Sequence, residues 1–425
     1  MVPTLRFPEF QDAGGWVMEK LGSLVSITTE KVGGNACIPM SITSGIGLVS
    51  QEEKFGRVIA GDSYKNYLLL KQNDFAYNKS ATKEYPEGYL SLYMGRELAA
   101  VPNSIFTCFR TSGKSPAPKY LNYLFQGNIH GQWLRKFIQV GARANGALSI
   151  NNSDLLAVPI PIPKGQASLV EQQKIADCLS SLDELIASQA RKVDALKTHK
   201  KALMQQLFPL EGETQPRLRF PEFRDAEEWK IFPLAALSEK IMVGIASAAT
   251  HAYRKNGVLM LRNQNIKEGK IDDSNMLFID PIYEAAHKCK RLRVGDVITV
   301  RTGYPGLSAV VSERYQNAQC FTSLITRPKK DVLDSNYLCA FINSEIGKRF
   351  ILGAEAGGAQ KNVNAGALEA LAVHLPELEE QRRISIFLSG FDVLIDFELQ
   401  ELEAIRIHKK GLMQQLFPSA EVAEA

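Results

Sequence analysis

The stretch HKKALMQQLFP occupies residues 199–209, and HKKGLMQQLFP occupies residues 408–418. Only one position differs across an offset of 209. A fixed-offset echo of this kind decides the architecture, because it marks a duplicated unit whose copies share one plan. The opening of the chain echoes as well: LRFPEFQDAGGW, residues 5–16, returns as LRFPEFRDAEEW, residues 218–229, at an offset of 213. Glu171 and Gln172 return as Glu380 and Gln381, again 209 apart. The repeated ends therefore frame middle segments, 17–155 and 230–375, that have diverged.

Length agrees with this division, since 425 residues exceed what one hydrophobic core serves and two units of about 210 fit ordinary domain sizes. The hydrophobic fraction of 45% is that of a soluble globular protein. No uncharged apolar run approaches the ~18 residues a membrane span needs, and the start MVPTLRFPEF lacks a signal-peptide core, so a cytoplasmic protein is expected. Cysteines 37, 108, 178, 289, 320 and 339 form no CxxC pair and have no nearby histidine cluster. Buried free thiols are expected rather than a metal site.

Apolar residues ahead of each echoed end recur at alternating steps of four and three. In the first copy they are Ile175, Leu179, Leu182, Ile186, Val193, Leu196, Leu203 and Leu207, with the polar rungs Gln189 and Lys200 in phase. In the second they are Ile384, Leu388, Phe391, Ile395, Leu402, Ile405, Leu412 and Leu416, with the rungs Glu398 and Lys409. This is the a/d seam of a coiled coil, and polar rungs within it cost stability but fix register. Ser168 and Glu171 read as a capping box, Pro376 suits a first turn, and Pro209 and Pro418 stop the two helices. A helix over 168–208 is about 60 Å long at ~1.5 Å per residue. Each needs a partner for its apolar stripe, and the chain supplies one.

Charge follows the same division. Residues 1–155 hold 16 lysines and arginines against 12 acids, residues 217–375 hold 22 against 17, and the remainder holds 12 against 17. Two mildly basic globes joined to acidic helices suit an anionic ligand such as nucleic acid.

Within the variable parts, KQNDFAYNK (71–79) and RVGDVITVR (293–301) share an aspartate turn, an apolar strand and a cation at its end. A polar loop follows each, with Lys79, Ser80, Thr82 and Lys83 in one and Arg301, Thr302 and Tyr304 in the other. Later come GARANGAL (141–148), carrying Arg143 and Asn145, and GGAQKNVN (357–364), carrying Gln360, Lys361 and Asn362. Cationic and amide side chains on glycine-rich loops are what phosphate and base-edge contacts need, so these residues are the candidate DNA contacts.

Taken together, the paired LRFPEF openings, the EGYL and RTGYPG stretches, GGAQKNVN, the helix entries PIPKGQASLVEQQ and LPELEEQ, and the repeated KKxLMQQLFP ends resemble the specificity subunit of type I restriction-modification enzymes. The resemblance runs over essentially the whole chain; the first copy departs in that GARANGAL lacks the amide–lysine pair of GGAQKNVN. It implies an α+β chain in which two α/β target recognition domains are separated by a pair of long antiparallel coiled-coil helices, with an internal pseudo-two-fold repeat. The expected division is a first recognition domain over 1–160, helix and linker over 161–212, a second recognition domain over 213–374, and the second helix with its tail over 375–425. Each recognition domain would read one half of a bipartite site in double-stranded DNA. The coiled coil would dock two methyltransferase subunits, which in turn work with restriction/translocase subunits.

The resemblance also implies chemistry that this chain lacks. It contains no Asn/Asp-Pro-Pro-aromatic methyltransferase motif and no GxxxxGK[ST] phosphate loop. The chain is expected to be non-catalytic and to bind no cofactor, with S-adenosylmethionine, ATP and Mg used by the partner subunits. The rival reading is a coiled-coil scaffold whose globes bind other proteins, the basic charge being incidental.

Overall fold

The computed structural model describes residues 1–43, 45–138, 148–210, 212–246, 250–353 and 363–418, with backbone alone at Asp62 and Ser63. Two compact units emerge, residues 1–189 with 401–425 and residues 190–400. Both breaks fall inside long helices. Each unit therefore consists of one variable segment, the beginning of the helix that follows it, and the end of the helix from the other half of the chain.

In the first unit, β1 (Trp16–Lys20), α1 (Leu21–Leu24), β2 (Val25–Thr28), β3 (Ile38–Thr43), β4 (Gly47–Ser50), α2 (Gln51–Phe55), β5 (Leu68–Leu70), β6 (Phe75–Asn78), β7 (Tyr89–Leu92), β8 (Ala99–Val101), β9 (Phe106–Thr111), α3 (Pro118–Gln126), α4 (Ile129–Leu134), α5 (Asn152–Leu156) and β10 (Pro159–Pro163) precede α6 (Ser168–Leu207). The strands form two four-stranded sheets, ordered β2-β9-β6-β7 and β4-β3-β8-β5, and the pair β1-β10.

The second unit follows the same plan through β11 (Lys230–Pro233), α7 (Leu234–Leu237), β12 (Ser238–Val243), β13 (Tyr253–Arg254), β14 (Val258–Leu261), β15 (Leu277–Ile279), α8 (Pro281–Ala285), β16 (Val297–Thr299), β17 (Ser308–Val310), β18 (Gln319–Cys320), β19 (Leu324–Pro328), α9 (Ser335–Asn343), α10 (Glu345–Gly353), α11 (Ala365–Glu369) and β20 (Ala372–Leu375), ending in α12 (Leu378–Leu416). Its sheets are β12-β19-β16-β17 and β13-β15-β14-β18, with the pair β11-β20. The first sheet of each unit has the same connectivity. β6 and β16 lie at equivalent inner positions and are short apolar runs, FAYN and VIT, whose apolar residues are buried, as such runs require.

The echoed residues are what close each unit. Arg6 grips Glu171 with two hydrogen bonds, Nε to Oε1 at 2.7 Å and Nη2 to Oε2 at 2.8 Å. Arg219 grips Glu380 in the same way, at 2.8 and 2.7 Å. Gln172 Oε1 accepts from the Ala117 N–H just before α3, and Gln381 Oε1 accepts from the Asp334 N–H just before α9, both at 2.9 Å. The repeated helix ends complete the fit: Leu5 N–H donates to the Gln415 carbonyl and Leu218 N–H to the Gln206 carbonyl. Phe417 packs on Tyr120 in one unit, and Phe208 packs on Tyr337 and Phe341 in the other. The echo is thus a structural module of opening arm, helix start and helix end, written once for each unit.

The seam positions are buried or half-buried along both helices, from Ile175 to Leu207 and from Ile384 to Leu416. Within the second unit α6 and α12 run antiparallel, because Lys192 pairs with Glu398 at 2.6 Å while Lys200 pairs with Asp392 at 2.5 Å. Within the first unit Lys409 pairs with Asp183 at 2.6 Å, the counterpart of Lys200 with Asp392 after the 209-residue shift. The two lysine rungs therefore reach carboxylates on the flank of the facing helix.

Four local expectations are corrected. The Glu171 carboxylate is taken by Arg6 rather than by a capping box, and the Ser168 hydroxyl accepts from Gln172 Nε2 at 3.1 Å. Pro376 lies before α12, where its carbonyl accepts from Gln381 Nε2. Strands β10 and β20 straddle the expected boundaries at 160/161 and 374/375, because each pairs with the strand that opens its own unit. All six cysteines are free, but Cys289 is exposed and Cys37 and Cys178 are half-buried, leaving Cys108, Cys320 and Cys339 as the buried thiols. No helix among the described residues is long and apolar enough to cross a membrane.

Candidate nucleic-acid interface

The candidate contacts from Lys79 to Lys83 and from Arg301 to Tyr304 follow the ends of β6 and β16, and a shared device sets both strands. A left-handed residue, Asn73 at φ 70° or Gly295 at φ 88°, turns the chain just before the strand, a conformation that asparagine and glycine tolerate. The next residue, Asp74 or Asp296, accepts from the backbone N–H three positions earlier, at Lys71 or Arg293. Each aspartate is buried, and both of its oxygens accept from an arginine of the neighbouring strand: Arg110 at 2.5 and 2.7 Å, and Arg327 at 2.8 and 2.8 Å. These charge-assisted pairs raise the pKa of both arginines further, the hydrogen bonds to Asp74 and Asp296 being the main cause. The strand register is thereby fixed, and with it the point at which Lys79 or Arg301 leaves the sheet.

The same junction follows in each unit. Leu148, at the exit of the first glycine-rich stretch, donates its N–H to the Lys79 carbonyl at 2.7 Å. Val363, at the exit of the second, donates to the Arg301 carbonyl at 3.2 Å. The strand-end loop and the end of the glycine-rich stretch, picked out separately in the sequence, are joined by a backbone hydrogen bond at matching places. Arg143, Asn145, Gln360, Lys361 and Asn362 themselves lie outside the described residues.

The loops differ in what their side chains do. In the first, Ser80 N–H donates to Asn78 Oδ1, and Thr82 Oγ1 accepts from Tyr85 N–H while its own N–H donates to the Tyr85 carbonyl, so Thr82 closes a turn. Lys79 and Ser80 are half-buried and Lys83 is exposed. In the second, Gly303 and Gly306 adopt φ 90° and 93°, and Tyr304 between them is 80% exposed. Thr302 Oγ1 accepts from Asn263 Nδ2 at 2.9 Å. Asn263, Arg110 and Arg327 escaped the sequence reading because their partners lie 31 to 60 residues away and no local spacing marks them. Arg6 and Arg219 carried a signal, their place inside the LRFPEF echo, but it did not say what they bind.

Two grooves flank the repeated helix ends. One, of about 620 Å³, lies within the second unit between Lys197, Lys201 and Gln205 of α6 and the turn between α9 and α10. The other, of about 610 Å³, lies within the first unit between Arg406, Lys410 and Gln414 of α12 and the turn between α3 and α4. The lining residues named on the helices are related by the 209-residue shift, Lys201 and Gln205 recurring as Lys410 and Gln414 within the echo and Lys197 answering to Arg406 just ahead of it.

Residues 226–406 match the family described as the type I restriction modification DNA specificity domain. A provisionally assigned relative, the type I restriction enzyme MjaX specificity subunit of Methanocaldococcus jannaschii, is 24% identical over 331 residues, covering 77% of this chain and 74% of that protein. Among solved structures, a chain from work on complex assembly and conformational transition of the type I restriction-modification system matches with a TM-score of 0.59 at 15% identity, covering 95% of this chain and 98% of that one. The type I restriction-modification S subunit from M. genitalium matches with a TM-score of 0.55 at 14% identity over 99% and 100% of the two chains. The fold is thus shared over nearly the full length with these two solved chains, and the match to the specificity-domain family lies over residues 226–406.

Proposed function

We propose that the chain reads DNA sequence for a type I restriction-modification complex, each unit acting as a target recognition domain for one half of a bipartite site. The carrying observation is the duplicated junction: Lys79 with Leu148 and Arg301 with Val363, each at the end of a strand fixed by an arginine on a buried aspartate. A cation and a polar loop held at a sheet end, beside a glycine-rich stretch, is an arrangement that can approach phosphates and base edges. Its appearance once per unit suits two half-sites. On this reading Lys79, Ser80, Thr82, Lys83, Arg143 and Asn145 serve the first half-site, and Arg301, Thr302, Tyr304, Gln360, Lys361 and Asn362 serve the second.

The long helices act as an antiparallel coiled coil with a pseudo-two-fold relation between the halves. Their repeated exposed residues dock two methyltransferase subunits, to which restriction/translocase subunits add. The chain itself is non-catalytic. S-adenosylmethionine, ATP and Mg serve the partner subunits.

The test is an exchange of residues 17–155 for the matching segment of a relative of different specificity, read by methylome sequencing of cells that carry the whole system. One half of the methylated site should change and the other half should stay. A change in both halves, or in neither, would overturn the assignment of one unit to one half-site.

A further inference from the structure

Thr322 adopts φ 59°, a left-handed conformation that is a strained outlier for a β-branched residue. Such strain persists only where the surroundings over-determine it, and here they do. Thr322 N–H donates to the Ile245 carbonyl at 3.0 Å, Ile245 N–H donates to the Cys320 carbonyl, and Gly244 N–H donates to the Ser323 carbonyl. A Cβ on Gly244 would stand 2.3 Å from the Cys320 carbonyl oxygen, so the two backbones meet at a distance only glycine permits.

One side chain joins this strained turn to the candidate interface. Asn263, just after β14, donates from Nδ2 to Thr302 Oγ1 at 2.9 Å, with the Thr302 carbonyl at 3.4 Å and Thr322 Oγ1 at 3.5 Å. Its Oδ1 accepts from Ser323 Oγ at 2.8 Å. Three loops, 262–265, 301–306 and 321–323, converge on that carboxamide. Both of its N–H donors have acceptors within the cluster, so it has no donor left for a ligand. Its donors serve the loops rather than a ligand. What it positions is the loop that carries Tyr304, 80% exposed, against the turn that carries the exposed Gln264.

We infer that Asn263 is a positioning residue for base discrimination in the second unit, holding the 301–306 loop against the strained Thr322 turn so that Gln264 and Tyr304 meet base edges at a fixed separation. The inference rests on the proposed DNA-reading role. A half-filled polar network is costly when buried, so removing the carboxamide donors frees the loop instead of merely deleting one contact.

The experiment selects duplexes from a random pool with the full chain, purified together with the methyltransferase subunits. The wild type should yield two specified segments separated by an unread gap. Asn263→Asp, which keeps the acceptor for Ser323 but loses both donors, should relax one or more positions of the segment assigned to the second unit by the domain exchange. It should lower the preference for that segment at least tenfold while the first segment keeps its preference. Retention of the first segment also serves as the control for folding. Thr322→Gly, which relieves the strain without unfolding the turn, should relax the same positions to a smaller degree. An Asn263→Asp chain that selects both segments unchanged, or loses both equally, would overturn the inference. A wild type that selects no sequence would instead sink the DNA-reading role, and the inference with it.

Discussion

In the first unit Glu171 is held by Arg6 while the indole N–H of Trp16 finds no hydrogen-bond partner among the described residues; in the second, Glu380 takes both Arg219 and the Trp229 indole N–H at 3.3 Å. Both carboxylates are about 1% exposed, and both arginines also donate to two backbone carbonyls of their opening arm. The duplicated residues thus build nearly the same junction twice, and the difference lies in how many donors remain if the arginine is lost. The arginine–glutamate contacts of the echoed sequence are reproduced closely, at 2.7 and 2.8 Å in both units, while the echoed tryptophans part company. Within the diverged middle the aspartate–arginine pair and the strand-end junction still recur in both units, whereas the Asn263 cluster is built from residues particular to the second.

Removing the arginine should break this equivalence. Arg6→Ala leaves a buried carboxylate without its charge partner, which costs about 3–5 kcal/mol. Arg219→Ala should cost about 1 kcal/mol less, because the Trp229 N–H still reaches Glu380. Denaturant unfolding of the full chain checks this by tryptophan fluorescence, with Trp16 and Trp133 reporting one unit and Trp229 the other. Equal losses in the two variants would deny Trp229 its part.

A second difference lies between the short helices. His130 in α4 and Ile346 in α10 each directly precede a glycine, Gly131 or Gly347, whose added Cβ would collide with neighbouring atoms. His130 is fully buried against Tyr77 and Phe125, and burial lowers its pKa to about 4, with the Gly88 backbone and Glu87 opposing the shift. The unfolded chain therefore binds the proton more readily than the folded one. Stability is complete above the ordinary histidine pKa of about 6.5 and falls as pH drops from there toward 4, by about 3 kcal/mol in all. Over that window the first unit should lose stability faster than the second. His130→Leu should flatten the slope of the first unit, as measured by thermal melts at stepped pH; an unchanged slope would assign the acid sensitivity elsewhere.

The helices were legible in the sequence because a seam repeats locally: each apolar rung predicts the next, and burial follows from that spacing alone. The duplication was legible for the same reason, through residues that must be alike in both copies. The strand-end loops were half legible. Their cations and glycines announced exposed turns, but the aspartate–arginine pairs that fix them link strands 31 and 36 residues apart, and an arginine on a strand looks the same whether it is buried or exposed. The Asn263 cluster was illegible, since one carboxamide joining three loops leaves no periodic trace, and the strain at Thr322 is a property of backbone geometry that no residue type announces.

The smallest effect concerns the lysine rungs, where the two units come closest to identity. Lys200 with Asp392 and Lys409 with Asp183 each join a lysine that is 13% exposed to an aspartate that is nearly half-exposed. Solvent screens the aspartate end, so each pair contributes about 0–1 kcal/mol, far less than the buried arginine junctions. The lysine stem, lying on the apolar seam, supplies packing that outlasts the loss of charge. Lys200→Met and Lys409→Met should therefore shift stability by less than about 1 kcal/mol, in either direction, and by nearly equal amounts. Their importance lies in register, since a polar group on an apolar seam disfavours every alignment that leaves it without a partner. Reversing one pair, as Lys409→Asp with Asp183→Lys, should restore most of the stability that Lys409→Asp alone removes, whereas combining Lys409→Asp with Asp392→Lys should not. Denaturation midpoints of the three variants decide the matter: rescue by the Asp392 partner would mean that the rungs do not choose between facing carboxylates, and the register role would fall.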